Sequence, residues 1–240
     1  MKREPAGPAV VLSPHLDDAV LSAWSVLRRE GDVQVVVVCA GVPPPGPAPP
    51  WDRLTGARDA AERMLERRDE DRVALARAGR RAAHLDFLDA QYRTDALDQD
   101  ALLAALNEAV PEAGELWAPA GIGAHHDHLQ VREAALAIQR DGGPPLRLYA
   151  ELPYATRQGW PQWVTGRRGN HGLDIDAWLR AYLPEGTPIP GEPHVLSRAE
   201  TRRKLRALRD YGTQWRALDA KGRVSDRRVI RYEASFAVTQ

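Results

Sequence analysis

The sequence predicts an α/β fold: a doubly wound, mostly parallel sheet with helices on both faces and a loop-rich C-terminal cap. Three observations carry this. Short apolar runs alternate with stretches of helical spacing from residue 10 to residue 152, the βαβα pattern of such sheets. One run, VQVVVVC at 33–39, is so continuously apolar that it needs cover on both faces, as strands inside a parallel sheet do. Histidine-bearing phrases directly follow two of the runs, SPHLDD at 13–18 and AHHDH at 124–128. Open α/β sheets place their ligands there, beyond the carboxyl ends of the strands.

The elements follow in order. Residues 10–12 form a short buried strand, and 17–29 a helix whose Val20, Leu21, Trp24 and Leu27 share one face. The strand at 33–39 runs into VPPPGPAPP at 42–50, a stiff polyproline-like loop that cannot join a sheet and reads equally as a surface loop or the rim of a site. A long helical region with a break covers 53–80, and HLDFL at 84–88 is the next strand. A helix over 97–110 leads into the buried strand ELWAP at 115–119; a helix at 129–140 and the strand LRLYAEL at 146–152 follow. Residues 153–193, rich in Trp, Gly and Pro, are expected to form loops or a cap on the sheet. Ser197 and Glu200 have the spacing of a capping box opening a helix to 211. The alternating RVIRYEASFAV at 228–238 predicts a closing, half-exposed strand. With no internal repeat, residues 1–240 are expected to form one domain.

Composition narrows the function classes. Lysine plus arginine and aspartate plus glutamate number 33 each, so no overall field draws in nucleic acid or an anionic membrane. Cys39 is the one cysteine, which excludes an intrachain disulfide and a four-cysteine zinc site. No stretch approaches the roughly 20 apolar residues of a membrane span, and the first strand begins too early for a signal-peptide core ahead of it. A soluble cytoplasmic protein is expected, with its oligomeric state left open.

Ionised side chains at the end of a core strand must be paired, solvated or bound to metal. If the strands before the two phrases are parallel neighbours, His15, Asp17 and Asp18 emerge at the same sheet edge as His125, His126, Asp127 and His128. Imidazole nitrogen and carboxylate oxygen are ligands that Zn²⁺ accepts, and three protein ligands plus water make a catalytic site. A further unligated carboxylate would take a proton from that water. Plainer readings stand beside these. Asp17 also suits an N-cap, and Arg67 with Glu70 a helix-surface ion pair. Asp89 with Arg93 would close a turn, and His84, His171 and His194 have no partner motif. Trp160, Trp163 and Trp178 read as core aromatics or as a sugar-stacking platform.

On these motifs the sequence resembles the LmbE/PIG-L-like zinc-dependent N-deacetylases. Pro14-His15-Leu16-Asp17-Asp18 matches that family's Pro-His-x-Asp-Asp after the first strand, and His125-His126-Asp127-His128 matches its His-x-x-His. Weaker matches are Arg67, Glu70, Ala74 and Gly79 on the intervening helix, Asp89 after the next strand, ELPYA at 151–155 and YGTQW at 211–215. The resemblance implies a Rossmann-like, LmbE-like fold. His15, Asp18 and His128 would ligate Zn²⁺, with Fe²⁺ also suited to such a set, and Asp17 would be the general base. His125 would polarise the amide carbonyl or hold the oxyanion, as an imidazolium if a carboxylate such as Asp127 keeps it protonated. Arg67 and Asp89 would contact sugar hydroxyls. The implied reaction is hydrolysis of the acetamide of an N-acetylated amino sugar, a GlcNAc-type glycoside or natural-product intermediate of antibiotic biosynthesis, to acetate and free amine. Ala19 and Ala23-Trp24-Ser25 depart from the family, which often has an acidic residue and a Gly-Gly there. The alternatives are a mycothiol-conjugate-type amidase and a catalytically silent sugar-binding module; the intact Asp17 speaks against the latter. A metal-dependent phosphoesterase would call for more carboxylates.

Overall fold

In a computed structural model, residues 7–110, 112–158, 160–166, 175–181, 190–219 and 224–238 are described. The strands are β1 (Ala9–Ser13), β2 (Val33–Val37), β3 (Ala82–His84), β4 (Glu115–Pro119), β5 (Leu146–Tyr149), β6 (Gly191–Val195) and β7 (Tyr232–Val238). They form one sheet in the order β3-β2-β1-β4-β5-β7-β6. β1 to β5 pair parallel, and β7 runs antiparallel between β5 and β6. The chain builds outward from β1 to β2 and β3, then returns to place β4 on the other side of β1. The topological switch point therefore lies between β1 and β4, the two strands that carry the histidine phrases.

The helices are α1 (Asp18–Ser22), α2 (Trp24–Leu27), α3 (Pro50–Leu54), α4 (Ala60–Ala76), α5 (Gln99–Ala109) and α6 (His126–Arg140), then α7 (Tyr154–Gln158), α8 (Gln162–Thr165), α9 (Ile175–Arg180), α10 (Arg198–Arg209), α11 (Gly212–Leu218) and α12 (Arg227–Ile230). Right-handed crossovers put α1 and α4 on one face and α5 and α6 on the other, because the direction of strand addition reverses at the switch point. Accordingly α1, α4 and α10 pack together, while α5 packs on α6 and α6 on β4 and β5. Val10, Val11 and Leu12 of β1 are wholly buried, as a strand covered on both faces must be. No helix of the described residues is long and apolar enough to cross a membrane.

Several elements differ from the sequence expectation. The helix at 17–29 is broken at Ala23 (φ −127°, ψ 25°) into α1 and α2. The cause is remote: the Glu233 carboxylate accepts from the Trp24 and Ser25 amides at 3.0 and 2.8 Å and replaces the helix's own acceptors. Glu233 is in turn paired with the fully buried Lys204. The strand at 84–88 ends at His84, beyond which the chain makes a single bridge from Asp86 to Cys39. It passes Gly41 so closely that a Cβ there would sit 2.4 Å from the Asp86 carbonyl oxygen. The strand at 228–238 is a helical turn followed by β7, and β7 is interior rather than half-exposed because β6 covers its outer side. β6 itself fell within the expected loops. It carries Pro193, which only an edge strand tolerates. Ser197 does cap α10, accepting from the Glu200 amide, but the Glu200 carboxylate turns to Trp24 and Arg203 and does not complete a box.

Candidate active site

Two tight loops present the polar phrases at the switch point. After β1, Ser13 Oγ donates to the His15 carbonyl at 2.6 Å and accepts from the Ala19 amide at 3.0 Å, folding SPHLDD onto itself. After β4, the turn AGIGA needs left-handed backbone at Gly121, Gly123 and Ala124 (φ 79°, 92° and 57°). A Cβ on Gly123 would also meet the Tyr154 ring at 2.5 Å. This turn sets His125 as the N-cap residue of α6 and His128 in its first turn. Three residues apart at a helix start, they face the same way.

The side chains of His15, Asp18 and His128 converge. His15 Nδ1 lies 3.3 Å from Asp18 Oδ2, His128 Nε2 lies 3.2 Å from the same oxygen, and the two nitrogens are 3.3 Å apart. Ligands about 2.0 Å from a tetrahedral ion stand about 3.3 Å from each other, so the triangle has the edge length of a zinc site. The far nitrogens are fixed by carboxylates, His15 Nε2 by Asp127 at 2.9 Å and His128 Nδ1 by Glu151 at 3.1 Å. Both carboxylates are themselves anchored. Asp127 pairs with Arg93 and accepts from the Ala90 amide, and Glu151 accepts from the Gly121 and Ile122 amides. With the outer nitrogens donating, two lone pairs and a carboxylate oxygen face one another across the triangle, an arrangement that requires a cation. The donor set fits a divalent metal. Donor atoms of His15, His125 and His128, and of His15, Cys39 and Asp127, also lie within 4.8 Å of one another. Asp18 is nearer to both inner nitrogens than either group requires.

The carboxylates around the triangle favour protonated imidazoles. Burial opposes charge on His128, but Asp18 and Glu151 outweigh it and raise its pKa to about 9. His15 is likewise raised, against its burial, by Asp89, Asp127 and Asp18. Burial also penalises the Asp18 carboxylate, yet His128 and His15 hold it well below the usual range. Asp17 behaves oppositely: burial, then the Asp18 charge, push it up to about 7. The two adjacent carboxyls are thus pushed in opposite directions, Asp18 down and Asp17 up.

Asp17 makes no side-chain cap to α1, so the capping alternative falls away. It is buried and lines a cleft of about 360 Å³ together with His15, Asp18, Arg67, His125 and His128. His125 presents a buried Nδ1 without a hydrogen-bond partner among the described residues, its ring 4.8 Å from that of His15. The expectation that Asp127 holds His125 as an imidazolium is not met. Asp127 is occupied by Arg93 and His15, while burial and the neighbouring histidine charges lower His125 to about 4.

Arg67 is buried, its NH2 2.6 Å from Asp52 Oδ1 and its NH1 3.9 Å from Asp89. Its Nε and NH2 nonetheless lack hydrogen-bond geometry to any described residue. Glu70 takes the Thr213 amide and hydroxyl instead, so no Arg67–Glu70 surface pair forms. Asp89 caps the short turn Ala90–Tyr92, and Arg93 turns away from it to Asp127. His84 is engaged by Asp71 and Arg68, and His194 by Ser235. His126 is exposed, and His171 lies outside the described residues.

Trp160 is buried, and Trp163 and Trp178 pack against the core; none of the three lines the cleft. The tryptophan that does is Trp51, directly after the proline-rich loop. The sequence reading missed it, along with Asp52, Glu151 and the part Asp127 plays. An acid following the LRLYA run was the available signal for Glu151.

A family model described as PIG-L, GlcNAc-PI de-N-acetylase, matches residues 10–139. A 2'-N-acetylparomamine deacetylase of Streptomyces fradiae is 30% identical over 223 residues, 87% of this chain and 74% of that protein. Among solved structures, a triple mutant of a deacetylase involved in the teicoplanin biosynthetic pathway superposes with a TM-score of 0.77 at 27% identity, covering 97% of this chain and 98% of that one. The deacetylase of the A40926 pseudoaglycone gives a TM-score of 0.71 at 28% identity, covering 98% of both chains.

Proposed function

The chain belongs to the PIG-L (GlcNAc-PI de-N-acetylase) family, and from that premise we propose that it is a metal-dependent N-deacetylase that releases acetate from an N-acetylated amino sugar. One observation carries the reading. His15, Asp18 and His128 stand at the edge lengths of a tetrahedral site, beside a buried carboxylate, Asp17, that no cap or ion pair consumes. One relative is a deacetylase of 2'-N-acetylparomamine and another a deacetylase of the teicoplanin biosynthetic pathway, which supports a sugar-bearing small molecule as substrate. The same reading makes residues 1–240 one catalytic domain acting in the cytoplasm.

His15 Nδ1, His128 Nε2 and Asp18 would hold the ion, Zn²⁺ or Fe²⁺, whose Lewis acidity polarises a carbonyl and acidifies water. The residues do the rest. Asp17 accepts a proton from water as its oxygen adds to the acetyl carbonyl, and returns that proton to the leaving nitrogen as the C–N bond breaks. His125, a neutral imidazole at neutral pH, donates its N–H to the carbonyl oxygen as charge develops there. Arg67, which lines the cleft, suits a sugar hydroxyl, with Asp89 as a neighbouring acceptor. The test is acetate release across a panel of N-acetylglucosaminides, with metal content measured on the same sample. Stoichiometric metal with acetate release from at least one glycoside is expected; a metal-replete protein that releases none overturns the reading.

A further inference from the structure

The cleft mouth carries a feature that amide hydrolysis does not use. Trp51 lines the cleft with 43% of its surface exposed, and Leu54, three residues on along α3, is 74% exposed. Between them Asp52 is fully buried, held by Arg67 and by the Tyr92 hydroxyl. The segment 46–60 that carries α3 is tied at its neck: the Ala48 amide donates to the Arg58 carbonyl at 3.0 Å, the Ala60 amide to the Gly46 carbonyl at 2.9 Å, and the Gly46 amide to Asp59 at 2.8 Å. An exposed indole and leucine thus sit on a mount of prolines, neck hydrogen bonds and a buried ion pair. A preorganised aromatic loses little freedom when a ligand covers it. Leu152, Tyr154 and Leu218 also line the cleft, so it offers apolar surface beside the polar cluster of His15, Asp17 and Asp18.

On the reading of the site as a sugar deacetylase, the acetamide of a 2-amino sugar lies at Asp17 and Asp18. Its C1 substituent, on the adjacent carbon, then stays beside the apolar surface. We infer that Trp51, with Leu54, determines specificity by covering an apolar alkyl or aryl aglycone at C1 of the N-acetylated amino sugar. This inference rests on the proposed function for the reaction but not for the binding, and the two are separable.

The experiment compares methyl and octyl 2-acetamido-2-deoxyglucosides in wild type, Trp51→Ala, Trp51→Phe and, as a surface control, Val73→Ser, which alters an exposed residue of α4. KM and kcat are measured for both glycosides, and binding of each is titrated calorimetrically on an Asp17→Asn background. Wild type should prefer the octyl glycoside through KM. Trp51→Ala should collapse that preference by on the order of tenfold, in KM rather than kcat, the mark of binding remote from the reacting bond. Trp51→Phe should fall between, and Val73→Ser should keep the wild-type ratio. An octyl-to-methyl ratio unchanged by Trp51→Ala, in KM and in the titration, overturns the inference even where acetate is released. If no acetate is released but octyl binding still depends on Trp51, the reaction falls and the aglycone site stands.

Discussion

Asp17 and Asp18 are adjacent in sequence and opposite in chemistry, and that separation is the residue-scale basis of the site. Asp18 is held ionised by two imidazoles, whereas Asp17 is lifted to about 7 by burial and by Asp18. A base must be ionised to act, so the rate should rise with pH as Asp17 loses its proton. A dication beside it favours the carboxylate, which places that acidic limb at or below pH 7. Asp17→Asn should keep its metal, lose about 10²–10⁴-fold in kcat and lose the limb, since an amide accepts no proton; a retained limb at near-wild-type rate would make Asp17 a bystander. His125→Ala should lower kcat by roughly 10²–10³-fold, the range for one lost oxyanion donor, with metal content intact. Because His125 is lowered to about 4, no basic limb near neutrality should belong to it, and a basic limb that vanishes in His125→Ala would contradict its neutral state. That His15, Asp18 and His128 come together was legible from sequence because each sits in a short phrase at a strand end. Glu151 and Asp127 were not, because what they do depends on which distant imidazole they meet. Glu151→Gln should therefore weaken metal affinity about 10–100-fold while the three ligands remain, as expected for a group that orients a ligand.

At the scale of elements, the sequence was most readable where one strand or helix answers to its own pattern. ELWAP is a strand residue for residue, α5 lies within the helix expected over 97–110, and the Ser197–Glu200 spacing located the start of α10. It was least readable where a remote group decides. Nothing within 17–29 announces a break; the acceptor that causes it is Glu233, which arrives from β7 with Lys204 beneath it. The start of α6 was placed three residues late for a related reason. Its first turn consists of His126, Asp127 and His128, poor helix formers, of which Asp127 is held by Arg93 and His15 and His128 by Asp18 and Glu151. The Glu233–Lys204 pair is buried on both sides, and removing one partner of such a pair leaves an uncompensated charge, at a loss of about 3–5 kcal/mol. Glu233→Ala should lower the unfolding free energy by that much and free the Trp24 and Ser25 amides. The loss should appear in unfolding curves, while folded protein at low temperature still binds metal. Unchanged unfolding curves would mean that the Glu233–Lys204 pair and its amide contacts contribute nothing to stability.

At the scale of the molecule, the candidate metal donors come from both sides of the switch point, His15 and Asp18 after β1 and His128 after β4. An ion held by all three joins the two halves of the sheet and binds only the folded chain, so it stabilises by mass action. Its competitors are the protons that occupy the same nitrogens in the metal-free protein, and this gives the stabilisation a pH dependence of known sign. His128 is raised from 6.5 to about 9 in the fold. A group whose pKa is raised on folding contributes its stability fully below the unfolded value and loses it as pH rises through the folded one. The metal-free protein should therefore lose stability between about pH 6.5 and 9, the interval in which His128 gives up its proton. The metal-loaded protein has no such proton to lose at that nitrogen. Thermal denaturation with and without chelator should then show a gap in Tm that widens across this interval, in the wild type and in Asp17→Asn alike. His128→Ala should show no gap at any pH. A gap of constant size from pH 6.5 to 9 would place the ion on other ligands.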